Sequence, residues 1–179
     1  LSSMLKFATA KDLKQPMGGV ILEAPDERDF ILGAKDPKSL GQTLVEDGHW
    51  LKYMTPVIEI QRVANGDTYC CTAFSDNEID EAIHIKKYGT EINISDMFVG
   101  VGSGNVRGSG NTMKASAEFK RKKGFVYESE YPYSRDMTLD EFYAPIPSSI
   151  YDKALESLKT YATGYLAANG NSQPAILEA

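Results

Sequence analysis

Asn65-Gly66-Asp67-Thr68-Tyr69-Cys70-Cys71-Thr72-Ala73-Phe74-Ser75 is the stretch on which the fold turns. It begins with a turn signal, Asn65-Gly66-Asp67, which stops the extended segment Tyr53 to Ile60. From Cys71 the pattern becomes helical: Phe74, Ile79, Ala82, Ile83 and Lys86 form one stripe spaced for burial, and Tyr88-Gly89 ends it. Cys71 therefore opens a helix. Unsatisfied backbone N–H groups and the macrodipole at that end favour a thiolate and lower a thiol's pKa. Taken alone, the stretch fits a buried free cysteine that acts as a small hydrophobe better than an activated thiol.

Outward from this point, Ser95 caps a short helix, Asp96 to Val101, and a glycine-rich loop follows from Gly100 to Gly110. A helix over Thr112 to Lys123 turns Met113, Ala117 and Phe119 inward and stops at Gly124. Beyond Tyr131-Pro132-Tyr133 the chain runs through Pro145 and Pro147 into an amphipathic helix, Ser148 to Tyr161. Ile150, Ala154, Leu155 and Leu158 share one side of it, with Ser148 or Ser149 as cap. Gly164 to Ala168 reads as a strand, and Ser172-Gln173-Pro174 as a helix start with only Ala175 to Ala179 behind it. Upstream, turn signals dominate, with a short strand over Gly19 to Glu23 and a weak helix over Pro37 to Val45. Three parts result: an extension wrapping the core (1–48), a helical unit carrying the cysteine (49–135), and a crossover helix with the start of a further unit (136–179).

The 179 residues suffice for one substantial core, and the formal charge of −6 is that of an ordinary acidic protein. A general nucleic-acid grip needs a dense basic face; the one basic cluster, Lys120 to Lys123, closes a helix and is expected to stay solvated, so no nucleic-acid partner is expected. No apolar run approaches the roughly 20 residues of a membrane span, and Leu1 to Lys14 lacks the apolar core of a secretory signal, so no membrane partner is expected. The two cysteines are adjacent and are expected as free thiols, since a bond between neighbours is strained; a reducing compartment is favoured. Cysteines and histidines lack ligand spacing for a metal, and no cofactor is expected. Asn93-Ile94-Ser95 matches a glycosylation sequon, although helix capping is the expected role of Ser95.

Cys71-Thr72-Ala73-Phe74-Ser75 resembles the active-site run Cys-Trp-Ala-Phe-Ser of the papain and cathepsin family of cysteine peptidases, matching four of five residues. Further landmarks are similar and in order: Ile94-Ser95-Asp96 to the family's Leu-Ser-Glu, Gly110-Asn111-Thr112-Met113 to its Gly-Gly substrate loop, and Gly124 to Tyr133 to its Gly-Ile and Tyr-Pro-Tyr run. Pro25 to Phe30 and Thr55-Pro56-Val57 resemble the start of the mature domain in microbial and viral members. The resemblance implies an α+β fold, mostly the helical left-hand domain with the start of the β-rich second domain. It also implies a peptide or protein substrate, attack by the Cys71 thiolate, an acyl-enzyme and its hydrolysis.

Asn65 stands where the family has the glutamine that completes the oxyanion hole, and the substrate-binding positions are Gly110 and Asn111. Several positions depart from the pattern. Tyr69 and Cys70 replace a glycine and a small residue, Thr72 replaces the tryptophan, Asn111 the second loop glycine, and Thr68 the bridge cysteine.

A peptidase of this type also needs an imidazole. In the family it lies ~130–150 residues beyond the cysteine, which from Cys71 is past residue ~200. His84 sits thirteen residues along the helix of Cys71, ~20 Å away, and His49 precedes the nucleophile on the outside of the cleft. The expectation is an incomplete chain, inactive alone, whose histidine comes from a second chain or a missing C-terminal half. The alternative is an inactive papain-like structural or binding module in a larger assembly.

Overall fold

The computed structural model describes residues 19–21, 23, 48–56 and 59–161. A 3-10 turn, Trp50–Tyr53, precedes a hairpin of two short antiparallel strands, β1 (Arg62–Val63) and β2 (Gly66–Asp67). Arg62 pairs with Asp67 and Val63 with Gly66, so Ala64-Asn65 makes the reversal. The turn thus falls earlier than the Asn65-Gly66-Asp67 expected, because Gly66 and Asp67 return along the partner strand.

Helix α1 spans Cys71–Tyr88, and Gly89, at φ 71°, closes it by donating its N–H to the Ile85 carbonyl. The buried residues are Thr72, Ala73, Asn77, Glu81, Ala82 and His84, whereas Ile79 is 53% exposed. The expected stripe is therefore corrected: the inward face is largely polar. It is tolerated because partners exist, with Asn77 Nδ2 donating to Asp96 Oδ1 at 2.7 Å and Glu81 Oε1 accepting from the Ile94 N–H at 2.7 Å. Hydrophobic periodicity is blind to such a face.

Helix α2 (Asp96–Gly102) starts where Ser95 Oγ accepts from the Phe98 N–H, and α3 (Met113–Lys123) where Thr112 Oγ1 accepts from that of Ala115. Both pack on α1. Phe119 lies 5.2 Å from the Phe98 ring, while Met113 is 40% exposed rather than inward. Lys120 corrects the solvated-cluster expectation. Only 1% exposed, it sends Nζ to Asp80 Oδ2 at 2.6 Å, Asp76 Oδ2 at 3.1 Å and the Asp76 carbonyl at 2.9 Å. Arg121, Lys122 and Lys123 stay exposed.

The one-turn helix α4 (Leu139–Phe142), absent from the sequence expectation, is set by a reciprocal capping box between Thr138 and Glu141. Helix α5 (Ser148–Thr160) follows Pro147, and neither Ser148 nor Ser149 caps it; Ala154 is buried while Leu155 is 46% exposed. Ser157 Oγ staples the helix to the chain after α3, accepting from the Phe125 N–H at 2.9 Å. Between the helices lie Ile94, Met97, Phe98, Val99, Phe125, Val126 and Phe142, each worth about 1.5–3 kcal/mol on burial. The described residues are thus mainly helical with a small sheet, the helical part of the α+β expectation. The expected helix over 37–45, strand over 164–168 and helix start at 172–174 lie outside the described residues.

Candidate active site

Cys71 is the first residue of α1, half-buried, with buried Cys70 as its N-cap. The chain reaches that position through Tyr69, a non-glycine residue at φ +57°, whose N–H donates to Asp67 Oδ1 at 2.7 Å. Left-handed backbone at an aromatic residue persists only where its surroundings impose it.

The expected substrate loop lies beside this corner. Asn111 is buried, and its side chain is spent on the loop itself: Nδ2 donates to Ser103 Oγ at 2.9 Å and Oδ1 accepts from the Thr112 N–H at 2.8 Å. Its backbone groups face the segment 19–21. The Asn111 N–H donates to the Gly19 carbonyl and the Ile21 N–H to the Asn111 carbonyl, both at 2.7 Å, a parallel bridge centred on Val20. Part of the expected strand over Gly19 to Glu23 is therefore present as an isolated bridge.

Gly19 lies on the cysteine. A Cβ built there would stand 2.7 Å from Cys71 Sγ and 2.6 Å from the Tyr69 carbonyl oxygen, and its φ of +144° also demands glycine. Gly110, at φ +93°, backs onto the same glycine, where any side chain would strike the Gly19 backbone. Cys71, Gly110 and Asn111 thus converge through Gly19. Asn65 is exposed on the hairpin turn, with Oδ1 accepting from the Leu139 N–H at 2.7 Å.

The Cys71 thiol is pushed above its ordinary range, first by burial and then by the Asp67 carboxylate; the backbone N–H groups of Thr72 and Cys71 pull the other way. The helix N-terminus acts as expected but is outweighed. This corrects the expectation of a lowered thiol pKa: desolvation under the Gly19 segment exceeds what two amides return. Burial pushes the Cys70 thiol up to about 12, which leaves it inert near neutrality.

Neither histidine serves this thiol. His84 belongs to the far end of α1, where Nε2 lies 3.1 Å from Thr90 Oγ1 and the ring packs 4.7 Å from Tyr88; burial lowers its pKa. His49 caps the 3-10 turn, whose Tyr53 ring receives Lys86 Nζ at 5.5 Å, again at the far end of α1. Among the described residues no cluster of His, Cys, Asp or Glu could hold a metal ion, and no helix is long and apolar enough to cross a membrane.

Two features escaped sequence reading. Thr68 is fully buried, and its carbonyl accepts from Tyr143 Oη and from Asn105 Nδ2, the latter at 3.2 Å. The other is an acidic cavity of about 320 Å³ lined by Glu59, Glu78, Glu81, Asp96 and Asn77 among others, but not by Cys71, Gly110 or Asn111. Burial, with neighbouring Glu59 and Glu78, pushes the Glu81 carboxyl up to about 8 despite the Ile94 amide. Asp96 is likewise raised, by burial and by Glu59. The contacts to the Thr68 carbonyl span 37 and 75 residues, and those of the cavity's Asn77 and Glu81 span 19 and 13, so no local pattern announces them.

No protein-family model matches the chain, and no curated protein does. Among solved structures it is similar to the Amb a 11 cysteine protease, a ragweed pollen allergen, in its proform: 24% identity over 46% of this chain and 27% of that one, TM-score 0.35. The digestive procathepsin L 3 of the Tenebrio molitor larval midgut shares 18% identity over 66% of this chain and 37% of that one, TM-score 0.44. Xylellain, a cysteine protease from Xylella fastidiosa, shares 18% over 90% and 63%, TM-score 0.48. The chain thus spans less than two thirds of each of these solved chains.

Proposed function

We propose that the chain is the cysteine-bearing part of a papain-like cysteine peptidase, with Cys71 as nucleophile and a peptide or protein as substrate. The observation that carries this reading is an extended backbone, residues 19–21, hydrogen-bonded to Asn111 and laid across the thiol at a helix N-terminus. A groove that takes one peptide backbone by main-chain pairing offers the same bonds to another.

In this reading the Cys71 thiolate attacks the substrate carbonyl carbon and the Cys71 N–H donates to the oxyanion; the amine leaves and water releases the acid from the thioester. Asn65 would be the second donor to the oxyanion, a role its amide nitrogen is left to fill because the Leu139 N–H engages its carbonyl oxygen. The proton moves through an imidazole that is neither His49 nor His84, supplied by a further polypeptide segment or a partner chain. The helical unit 49–135 carries the nucleophile, with 136–179 leading toward the imidazole-bearing part. The segment 19–21 keeps the groove closed until it is displaced.

The upward shift of the Cys71 thiol favours a second reading, an inactive binding module that retains the groove. Hydrolysis of fluorogenic peptides by the protein in its native assembly separates the two. Activity lost on Cys71→Ser supports the peptidase. Absence of turnover by the native assembly, with Cys71 intact, supports the module.

A further inference from the structure

Two side chains converge on one carbonyl beside Cys71, that of Thr68. Tyr143, on the residue after α4, donates its hydroxyl to the Thr68 carbonyl. Asn105, in the glycine-rich loop and only 8% exposed, donates Nδ2 both to that carbonyl at 3.2 Å and to Tyr143 Oη at 2.6 Å. Tyr143 Oη also lies 3.9 Å from Cys70 Sγ, and the Asn105 backbone N–H is tied to the Gly100 carbonyl at 3.1 Å. A Cβ on Gly100 would meet Cys70 Sγ at 2.7 Å, so the loop is braced against the residue preceding the nucleophile.

The carbonyl of Thr68 belongs to the same rigid peptide plane as the Tyr69 N–H. Fixing that plane fixes the φ of Tyr69, which stands at +57°. Half a turn of the plane, by opposite rotations about Thr68 ψ and Tyr69 φ, would carry Tyr69 into the extended region that an aromatic side chain prefers and take its N–H from the Asp67 carboxylate, loosening the corner that delivers Cys71. The Asp67 carboxylate holds the N–H side of the plane and the two long-range donors hold the carbonyl side.

We infer that Asn105 and Tyr143 form a positioning clamp: by pinning the Thr68 carbonyl they hold Tyr69 left-handed and aim Cys71. The clamp's consequence for reactivity rests on Cys71 being the nucleophile; its consequence for the backbone does not. Tyr143→Phe deletes one donor and keeps the ring, and Asn105→Asp, a second variant of nearly the same shape, turns a donor into an acceptor facing the carbonyl.

The test reads two quantities in the full chain. The three-bond amide-to-alpha-proton coupling of Tyr69 moves from a left-handed value to an extended one in both variants. The second-order rate of Cys71 alkylation by iodoacetamide at pH 7 falls about tenfold, the population lost when a left-handed penalty of this size is released. Replacing Tyr69 by glycine removes the need for a clamp, so Tyr143→Phe combined with Tyr69→Gly reacts within about twofold of Tyr69→Gly alone. An unchanged coupling in both variants overturns the clamp, as does a Tyr69→Gly background that loses as much rate as the parent. If wild-type Cys71 reacts no faster than Cys70, the nucleophile reading fails, and the coupling still decides the clamp.

Discussion

Replacing Glu81 by glutamine should make the protein more stable above neutrality and leave it unchanged in acid. Glu81 is 5% exposed at the centre of α1, with Glu59 and Glu78 as charged neighbours, and its carboxyl titrates near 8 in the folded chain against 4.5 ordinarily. A carboxyl raised on folding contributes stability that is complete below the unfolded value and lost as pH climbs through the folded one. The loss therefore runs from about pH 4.5 to about pH 8. At 1.36 kcal/mol per pH unit the ceiling is about 5 kcal/mol. Solvent reaching the adjoining cavity reduces it to about 2–3 kcal/mol. Glutamine keeps an oxygen for the Ile94 N–H and carries no charge at any pH. Urea unfolding at pH 4.5 and pH 8.5 is the assay. The variant and wild type should agree at the lower pH, and the variant should lead by about 2–3 kcal/mol at the higher, roughly 5–10 °C in Tm. Part of the wild-type slope should persist in the variant, because burial also raises Glu128 to about 7. A variant less stable than wild type at pH 8.5 would refute the reasoning, since Glu81 would then be acting as a favourable buried anion.

Gly19→Leu should expose Cys71: the new side chain strikes Cys71 Sγ and the Tyr69 carbonyl, so the segment lifts and Cys71 alkylation accelerates severalfold with Cys70 unmoved, as read by peptide mass mapping. Lys120→Met leaves Asp76 and Asp80 without their buried counter-charge and should cost about 3–5 kcal/mol in urea unfolding. Thr138→Ala removes the α4 cap and should cost about 1 kcal/mol by the same method.

Local rules carried much of the fold. The start of α1 at Cys71, its end at Gly89, and the Ser95 cap follow from residues within one turn of each boundary, and all are present; Thr112, expected inside α3, is its cap instead. The local signal for α4, Thr138 with Glu141 three residues on, is equally present in the sequence. What failed was the interior. Ile79 points outward while Asn77, Glu81 and Lys120 point inward, because their partners come from 13 to 44 residues away and apolar spacing carries no trace of them.

The site divides in the same way. Motif order singles out Cys71, Gly110 and Asn111, and the structure gathers the three around Gly19. Motif order misses Asn105 and Tyr143, since only folding brings them to Thr68. The upward shift of the thiol also depends on what covers it, a tertiary fact.

Site-resolved alkylation of the two neighbouring thiols tests the central claim most directly. Near pH 7, with limiting iodoacetamide and tandem mass mapping, the account predicts that Cys71 is modified first and almost alone, because Cys70 is fully buried with its thiol raised to about 12. Equal sluggishness of both thiols, or preference for Cys70, would contradict the assignment of Cys71 as the nucleophile.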